Sequence, residues 1–333
     1  MSQMRRRQFL LTTGALLAAP LASFAQKQAK VWRIGILSPT ADESKTGEPS
    51  AYAAAFIGEM QAAGYAYGVD YVIEGFSADG DYERLPALAN ELVRRKVDII
   101  VPLSPIAVSA ARKASNTVPI VFVAAHDPVG SGMAASLARP GGNLTGLATF
   151  YADLIPKHLE LLKSIVPKVS RVAFLANTKG GKDPKIEQKI RDAAQKLGMH
   201  LQIVLVDSAE QIPRAFAAMT RERAGGFIAI ADAIFFQERR QLAELALKHR
   251  LPSFFANREN VQAGGLASYG EDFIDLFAQA AKYVSKIMKG AKPGDLPIEQ
   301  PTKFHLAISR TTARALKLTI PQELLLRADE VIE

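Results

Sequence analysis

The chain has 333 residues, 48% hydrophobic and 22% charged, with 23 Gly, 18 Pro and no Cys. That mix packs into roughly two domains of ordinary size and excludes general disorder and collagen-like repeats. A chain without cysteine has no disulfide framework, thiol nucleophile, cysteine-ligated zinc, iron–sulfur cluster or lipidated cysteine, and its net charge of +8 is spread along the sequence.

Arg5, Arg6 and Arg7 precede an apolar run from Phe9 to Leu21, and no acidic residue occurs before Asp42. The run is shorter than the roughly 20 apolar residues that span a bilayer. It closes on Ala22-Ser23-Phe24-Ala25, whose small residues at 23 and 25 suit signal peptidase. Residues 1–25 therefore read as an export signal cleaved near Ala25, by the twin-arginine route suggested by Arg6-Arg7-Gln8-Phe9-Leu10 or by the Sec route. The expected mature protein is periplasmic, soluble and unanchored. Its densest basic run, Arg94-Arg95-Lys96, closes a predicted helix, where cations suit the helix dipole. It reads as a solvated helix end, and no nucleic-acid partner is expected.

From residue 31 on, short apolar β-branched runs alternate with segments of helical period, the pattern of parallel sheets with crossover helices. In chain order the reading is strand 31–37, helix 51–63, strand 71–76, helix 82–95, strand 97–103, helix 106–115, then strands 120–124 and 144–149. It continues with helix 155–165, strand 171–176, helix 184–197, strand 201–206, helix 212–223, strand 226–231 and helix 237–249. Strands 253–256 and 265–268 and helix 273–289 follow. Most of the strands are almost continuously apolar, as strands covered on both faces are. In helix 82–95, Leu85, Leu88, Ala89, Leu92 and Val93 make one apolar stripe while Glu83, Asn90, Glu91, Arg94 and Arg95 face water, and Asp81 is a natural N-cap. Asp183-Pro184 likewise reads as N-cap and first helical residue. The turn formers Arg139-Pro140-Gly141-Gly142-Asn143 separate two such sets of elements. The expected fold is α/β, with two Rossmann-like lobes of parallel sheet. Residues 292–301, with Pro293, Pro297 and Pro301, read as an extended connector.

In open α/β sheets ligands bind outside the carboxyl ends of the strands. There the first set carries Ser38-Pro39, Ser104-Pro105 and His126-Asp127-Pro128. The second carries Asn177-Thr178, Asp207-Ser208, Asp232 with Phe235-Phe236, and Asn257-Arg258. Facing one another, these ends would enclose a cleft with few charges and several aromatics, the composition of a small-molecule site. Ser104 either caps its own helix only, or offers its hydroxyl with the N–H groups of Ile106 and Ala107 to a ligand carboxylate. Ser38 has the same two roles open to it. Asp232 ends an apolar run, and a buried carboxylate needs a partner, either a ligand ammonium or the N–H groups of the next helix. Phe150, Tyr151, Phe235, Phe236 and Tyr269 either line the pocket or pack in the core. His126 beside Asp127 raises the question of acid–base catalysis. Adjacent residues on a strand point opposite ways, however, and Asp127-Pro128 is an N-cap signature, so both read as polar cleft contacts.

Gly130-Ser131-Gly132-Met133-Ala134-Ala135 fits a weak dinucleotide fingerprint, but it follows a late strand and sits next to Asp127, so a tight turn into a short helix is expected. No phosphate loop, H-E-x-x-H or G-x-S-x-G motif occurs. The five histidines at 126, 158, 200, 249 and 305 lack ligand spacing, and His158 and His249 read as surface groups on helices. The expectation is a chain with no catalytic residue, no metal and no cofactor.

Several blocks resemble bacterial ABC-transporter substrate-binding proteins of the tryptophan/tyrosine-uptake type. They are Ser77-Ala78-Asp79-Gly80-Asp81-Tyr82-Glu83-Arg84-Leu85-Pro86, Pro119-Ile120-Val121-Phe122 through Gly132, and Ser136-Leu137-Ala138-Arg139-Pro140-Gly141-Gly142-Asn143-Leu144-Thr145-Gly146. Gly264-Gly265-Leu266-Ala267-Ser268-Tyr269-Gly270 and the closing Leu324 to Ile332 belong with them. The resemblance implies a type I periplasmic-binding-protein fold, with lobe one at 31–147 and 270–299 and lobe two at 148–269 and 300–333, joined by several crossing strands. It implies a non-catalytic, monomeric solute-binding component that captures a small carboxylate or amino acid, apolar or aromatic, and delivers it to an ABC permease in the inner membrane. Ser104 and the His126–Asp127 end would hold the carboxylate side, and Asp232 the ammonium. His126 stands where many relatives have a small residue, which narrows the pocket or adds a donor. Ser38, Phe150, Asn177, Phe235, Asn257 and Tyr269 complete the expected ligand-binding set. The alternatives are a ligand-sensing protein for a membrane receptor, or an enzyme using the same cleft.

Overall fold

The computed structural model describes residues 30–40, 49–149, 151–179, 184–229 and 231–333. The expected export signal, Asp183 and Phe150 lie outside them. Trp32–Glu333 packs as one unit.

The apolar runs form two sheets. The first holds β1 (Trp32–Ser38), β2 (Tyr71–Ser77), β3 (Ile99–Pro102), β4 (Ile120–His126) and β5 (Leu144–Thr149) in the order β2-β1-β3-β4-β5, parallel throughout. The second holds β6 (Arg171–Asn177), β7 (His200–Val206), β8 (Phe227–Ala229), β9 (Ser253–Phe255), β10 (Ala267–Glu271), β11 (Phe304–Ser309) and β12 (Glu330–Ile332). Its order is β12-β11-β10-β9-β8-β6-β7, parallel except where β11 runs antiparallel to β10. Every residue of β3, β5, β8 and β9 is buried, which is why these strands read as unbroken apolar runs.

The helices are α1 (Ala51–Ala62), α2 (Leu85–Arg94), α3 (Pro105–Ala114), α4 (Tyr151–Ile165), α5 (Pro184–Lys196) and α6 (Ile212–Arg221). They continue with α7 (Ala233–Gln237), α8 (Arg239–Lys248), α9 (Arg258–Gln262), α10 (Phe273–Met288), α11 (Arg310–Ala315) and α12 (Gln322–Arg327). One apolar cluster joins α2 and α3 of the first sheet to α6 and α8 of the second, through Leu85, Ala107, Phe216 and Leu242. A second covers the other face of the first sheet with α1 and α10, and a third covers the second sheet with α4, α5 and the C-terminal helices.

The chain passes between the sheets three times. β5 leads into α4, and β10 of the second sheet leads into α10, which packs on β4, β5 and α1 of the first. The connector then lies along β5, where Glu299 N–H donates to Gly146 O at 3.1 Å and Ala148 N–H to Glu299 O at 2.9 Å, before β11 rejoins the second sheet. Gly146 is obligatory here, since at φ +145° a Cβ would fall 2.2 Å from Phe122 O on β4.

Several elements differ from the reading by residue pattern. The helix predicted from Tyr82 opens with a 3-10 turn, Tyr82–Arg84, before α2 begins. The strand placed at 265–268 starts instead at Ala267, because Gly264 and Gly265 close the turn after α9, and it runs on to Glu271. Residues 128–132 make the tight turn expected of the glycine motif, with Ser131 N–H on Asp127 O and Met133 N–H on Pro128 O, but no helix follows it. His158, read as a surface group, has no exposed surface. It shares the buried stripe of α4 with Ile155, Leu159 and Leu162, stands 5.3 Å from the Phe254 ring, and its Nε2 bonds Tyr269 O at 2.6 Å. Among the described residues no helix is long and apolar enough to cross a membrane.

Candidate functional site

The carboxyl ends of β1, β3 and β4 meet those of β6, β9 and β10, and the N-terminus of α7, around a cavity of about 220 Å3. On the first sheet's side, Ser38 and Thr40 bond one another at the end of β1, the Ser38 hydroxyl donating to Thr40 O at 3.0 Å. Ser104 is the N-cap of α3, its hydroxyl oxygen accepting from Ala107 N–H at 3.2 Å. It both caps the helix and faces the cavity, so its hydroxyl proton remains for a guest. Pro105 has no N–H, and Ile106, also in the wall, presents a first-turn N–H that has no partner within the helix. The positive end of the α3 dipole therefore points at this side of the cavity.

The second sheet's side is built around a carboxylate. Asp232 caps α7, and its Oδ1 accepts three hydrogen bonds, from Ile234 N–H at 2.9 Å, Asn177 Nδ2 at 3.0 Å and the Tyr82 hydroxyl at 2.9 Å. Asn177, 6% exposed at the end of β6, is held in turn by Lys179 N–H on its Oδ1. Burial pushes the Asp232 pKa above the usual carboxylate range, while the three donors pull it back. Burial and the adjoining Asp232 charge raise the Tyr82 phenol, so the shared proton stays on the tyrosine. A second carboxylate, Glu271 at the end of β10, lines the cavity and is 8% exposed. Arg258 turns to Glu259 and Asp272 instead, and among the described lining residues there is no lysine or arginine.

The remaining wall is aromatic. Tyr52 on α1 stands 5.2 Å from Phe277 on α10 and 6.2 Å from Phe236 on α7, ring centre to ring centre, and Phe273 joins them. Arg239 stacks on Phe236 at 4.8 Å and donates to its carbonyl, which fixes the ring. An apolar enclosure with hydroxyl and amide donors at one end and carboxylates at the other suits a small molecule of mixed polarity.

Of the residues expected from sequence, Ser38, Ser104, His126, Asn177, Asp232 and Asn257 line this cavity together. Three do not. Asp127 is exposed and turns its carboxylate back onto Gly130 N–H at 2.9 Å, and His126 bonds Thr149 at 2.7 Å, so the two make no acid–base pair. Phe235 is 2% exposed and packs in the core, because α7 starts one residue after its cap and puts Phe236 on the cavity side. Tyr269 packs against Phe304 at 5.8 Å in the second sheet's own core. Sequence reasoning did not find Tyr52, Tyr82, Glu271, Phe273 or Phe277. The i, i+4 spacing of Phe273 and Phe277 after the Asp272 cap was the available signal. Among the described residues no three His, Asp or Glu side chains gather as a metal requires.

Comparison with known proteins agrees with this architecture. A curated tyrosine-binding protein of Clostridioides difficile (strain R20291) is 24% identical over 280 residues, 84% of this chain and 78% of that one. A crystal structure of a conserved domain protein from Vibrio cholerae superposes with a TM-score of 0.82 at 26% identity, covering 91% of this chain and all of that one. A Streptococcus pneumonia ABC domain in complex with L-Trp superposes with a TM-score of 0.81 at 23% identity, with the same coverage. The two-sheet fold is thus that of the type I periplasmic binding proteins. The family model for ABC transporter substrate binding proteins matches residues 49–332, and the chain belongs to that family.

Proposed function

We propose that the chain is an exported, monomeric and non-catalytic receptor for a small amino acid with an aromatic or apolar side chain, which it releases unchanged to an ABC permease. In this reading the signal at 1–25 directs it to the periplasm. Residues 31–147 with 270–299, and 148–269 with 300–333, act as lobes that close on the guest. Asp232 receives the ammonium, the α3 N-terminus with Ser104 receives the carboxylate beside Ser38, and Tyr52, Phe236, Phe273 and Phe277 receive the side chain. The tyrosine-binding and L-Trp-bound relatives support an aromatic amino acid. The observation that carries the reading is Asp232, a half-buried carboxylate in a cavity whose described walls hold no lysine or arginine.

The test is a thermal-shift screen of the twenty amino acids on the chain from residue 26. Saturable stabilisation by an aromatic or apolar L-amino acid is expected, worth about 2.7 kcal/mol at a hundredfold excess over Kd, with the compound recovered intact. Stabilisation by none of them, or consumption of the bound compound, would overturn it.

A further inference from the structure

A second cavity, of about 310 Å3, lies beyond His126. Among the described residues the two cavities share His126, Thr149 and Ile186, so these side chains form the wall between them. The imidazole is fixed there. Its Nδ1 and Thr149 Oγ1 on the neighbouring strand lie 2.7 Å apart. The pairing of β4 with β5 shifts between Val123 and Ala125, where Ala124 adopts φ +64°. Such a bulge re-aims the residues that follow it, and here it brings His126 into the wall. Asp127 then turns the chain away at φ +35°, locked by Gly130 N–H on its carboxylate.

We propose that His126 sets the size limit of the ligand, confining it to the first cavity and excluding it from the second. The proposal rests on the reading of the first cavity as the ligand site. At about 220 Å3 that cavity is smaller than the roughly 300–1,000 Å3 of pockets that hold drug-sized compounds. Joined to the second cavity it would fall within that range. The chemistry beyond the wall is polar, with the ion-paired Asp153 and Lys189, Asp127 and Gln300. A guest reaching through would place a hydrogen-bonding extension there, such as the added peptide group of a dipeptide.

The experiment is calorimetric titration of the wild type, His126→Ala and His126→Gln with L-tyrosine, L-tryptophan and the dipeptides made by adding glycine to either end of each. The wild type and His126→Gln, which keeps bulk and a hydrogen-bonding group, should prefer the free amino acid by at least about tenfold, the equivalent of 1.4 kcal/mol. His126→Ala should lose or reverse that preference, and an unchanged preference would overturn the proposal. If the wild type binds none of these probes, the amino-acid reading fails by itself. The crystal structure of His126→Ala then decides the partition, one continuous chamber supporting it and two separate cavities refuting it. Should His126→Ala not fold, Thr149→Val removes the hydrogen bond at equal volume and should weaken the same preference, whereas retention of full discrimination counts against the wall.

Discussion

The Tyr82 hydroxyl donates to Oδ1 of Asp232 across 2.9 Å, tying the 3-10 turn ahead of α2 to the cap of α7. One residue belongs to the first sheet's layer and the other to the second sheet's, so the hydrogen bond spans the cleft at its anionic group. The bond is charge-assisted, with Tyr82 buried and Asp232 half-buried, and charge-assisted bonds are stronger than neutral ones.

Tyr82→Phe removes that bond and little volume. It should lower the stability of the unliganded protein by about 1–3 kcal/mol, since the half-buried carboxylate loses one of three donors. Urea unfolding of both proteins measures the difference, and equal midpoints would show that the bond carries no strain-free stabilisation.

The neighbouring phenylalanines of α7 should separate cleanly. Phe235→Ala opens a void in the core and should cost about 3–5 kcal/mol. Phe236→Ala removes a ring from the cavity wall and should weaken ligand binding while costing less stability. Denaturant melts paired with titration of the best-binding amino acid check both effects, and the reverse pattern would move the pocket to the other side of the helix.

His158 predicts an acid sensitivity. Burial lowers its pKa from 6.5 to about 4, although its bond to the Tyr269 carbonyl opposes the shift. The unfolded chain therefore takes up a proton at higher pH than the folded one. The stability linked to this residue is complete above pH 6.5 and is lost as pH falls toward 4, by up to about 3 kcal/mol. Unfolding free energies of the wild type and His158→Gln at pH 7.5 and 4.5 should show a steeper fall in the wild type. Parallel falls would place the titration elsewhere.

The sheets were legible because unbroken apolar runs between helical segments have few other solutions, and the caps Ser104 and Asp232 were legible because each ends such a run. The walls of the cleft were harder to read, because they depend on where the chain goes next. Tyr82 continues the apolar stripe of α2 in sequence, yet the 3-10 turn swings it toward Asp232. Phe273 and Phe277 follow a strand of the second sheet and pack with the first, a crossing that periodicity does not encode. Glu271 lay beyond the predicted end of its strand, which the glycine turn displaced. Strand β11 follows an extended connector and runs antiparallel to its neighbour, and β12, reached through α11 and α12, has only three residues, so neither stood out in the α/β pattern.

Asp232→Asn offers the sharpest test, because it preserves shape and leaves an amide oxygen to take the three donors while removing the charge. Isothermal titration of the wild type and this variant with L-tyrosine and L-tryptophan should show one saturable site in the wild type. The variant should bind at least about a hundredfold more weakly, in line with the 2–5 kcal/mol lost when one member of a buried charge pair is removed. Equal affinity in the two proteins would contradict the account.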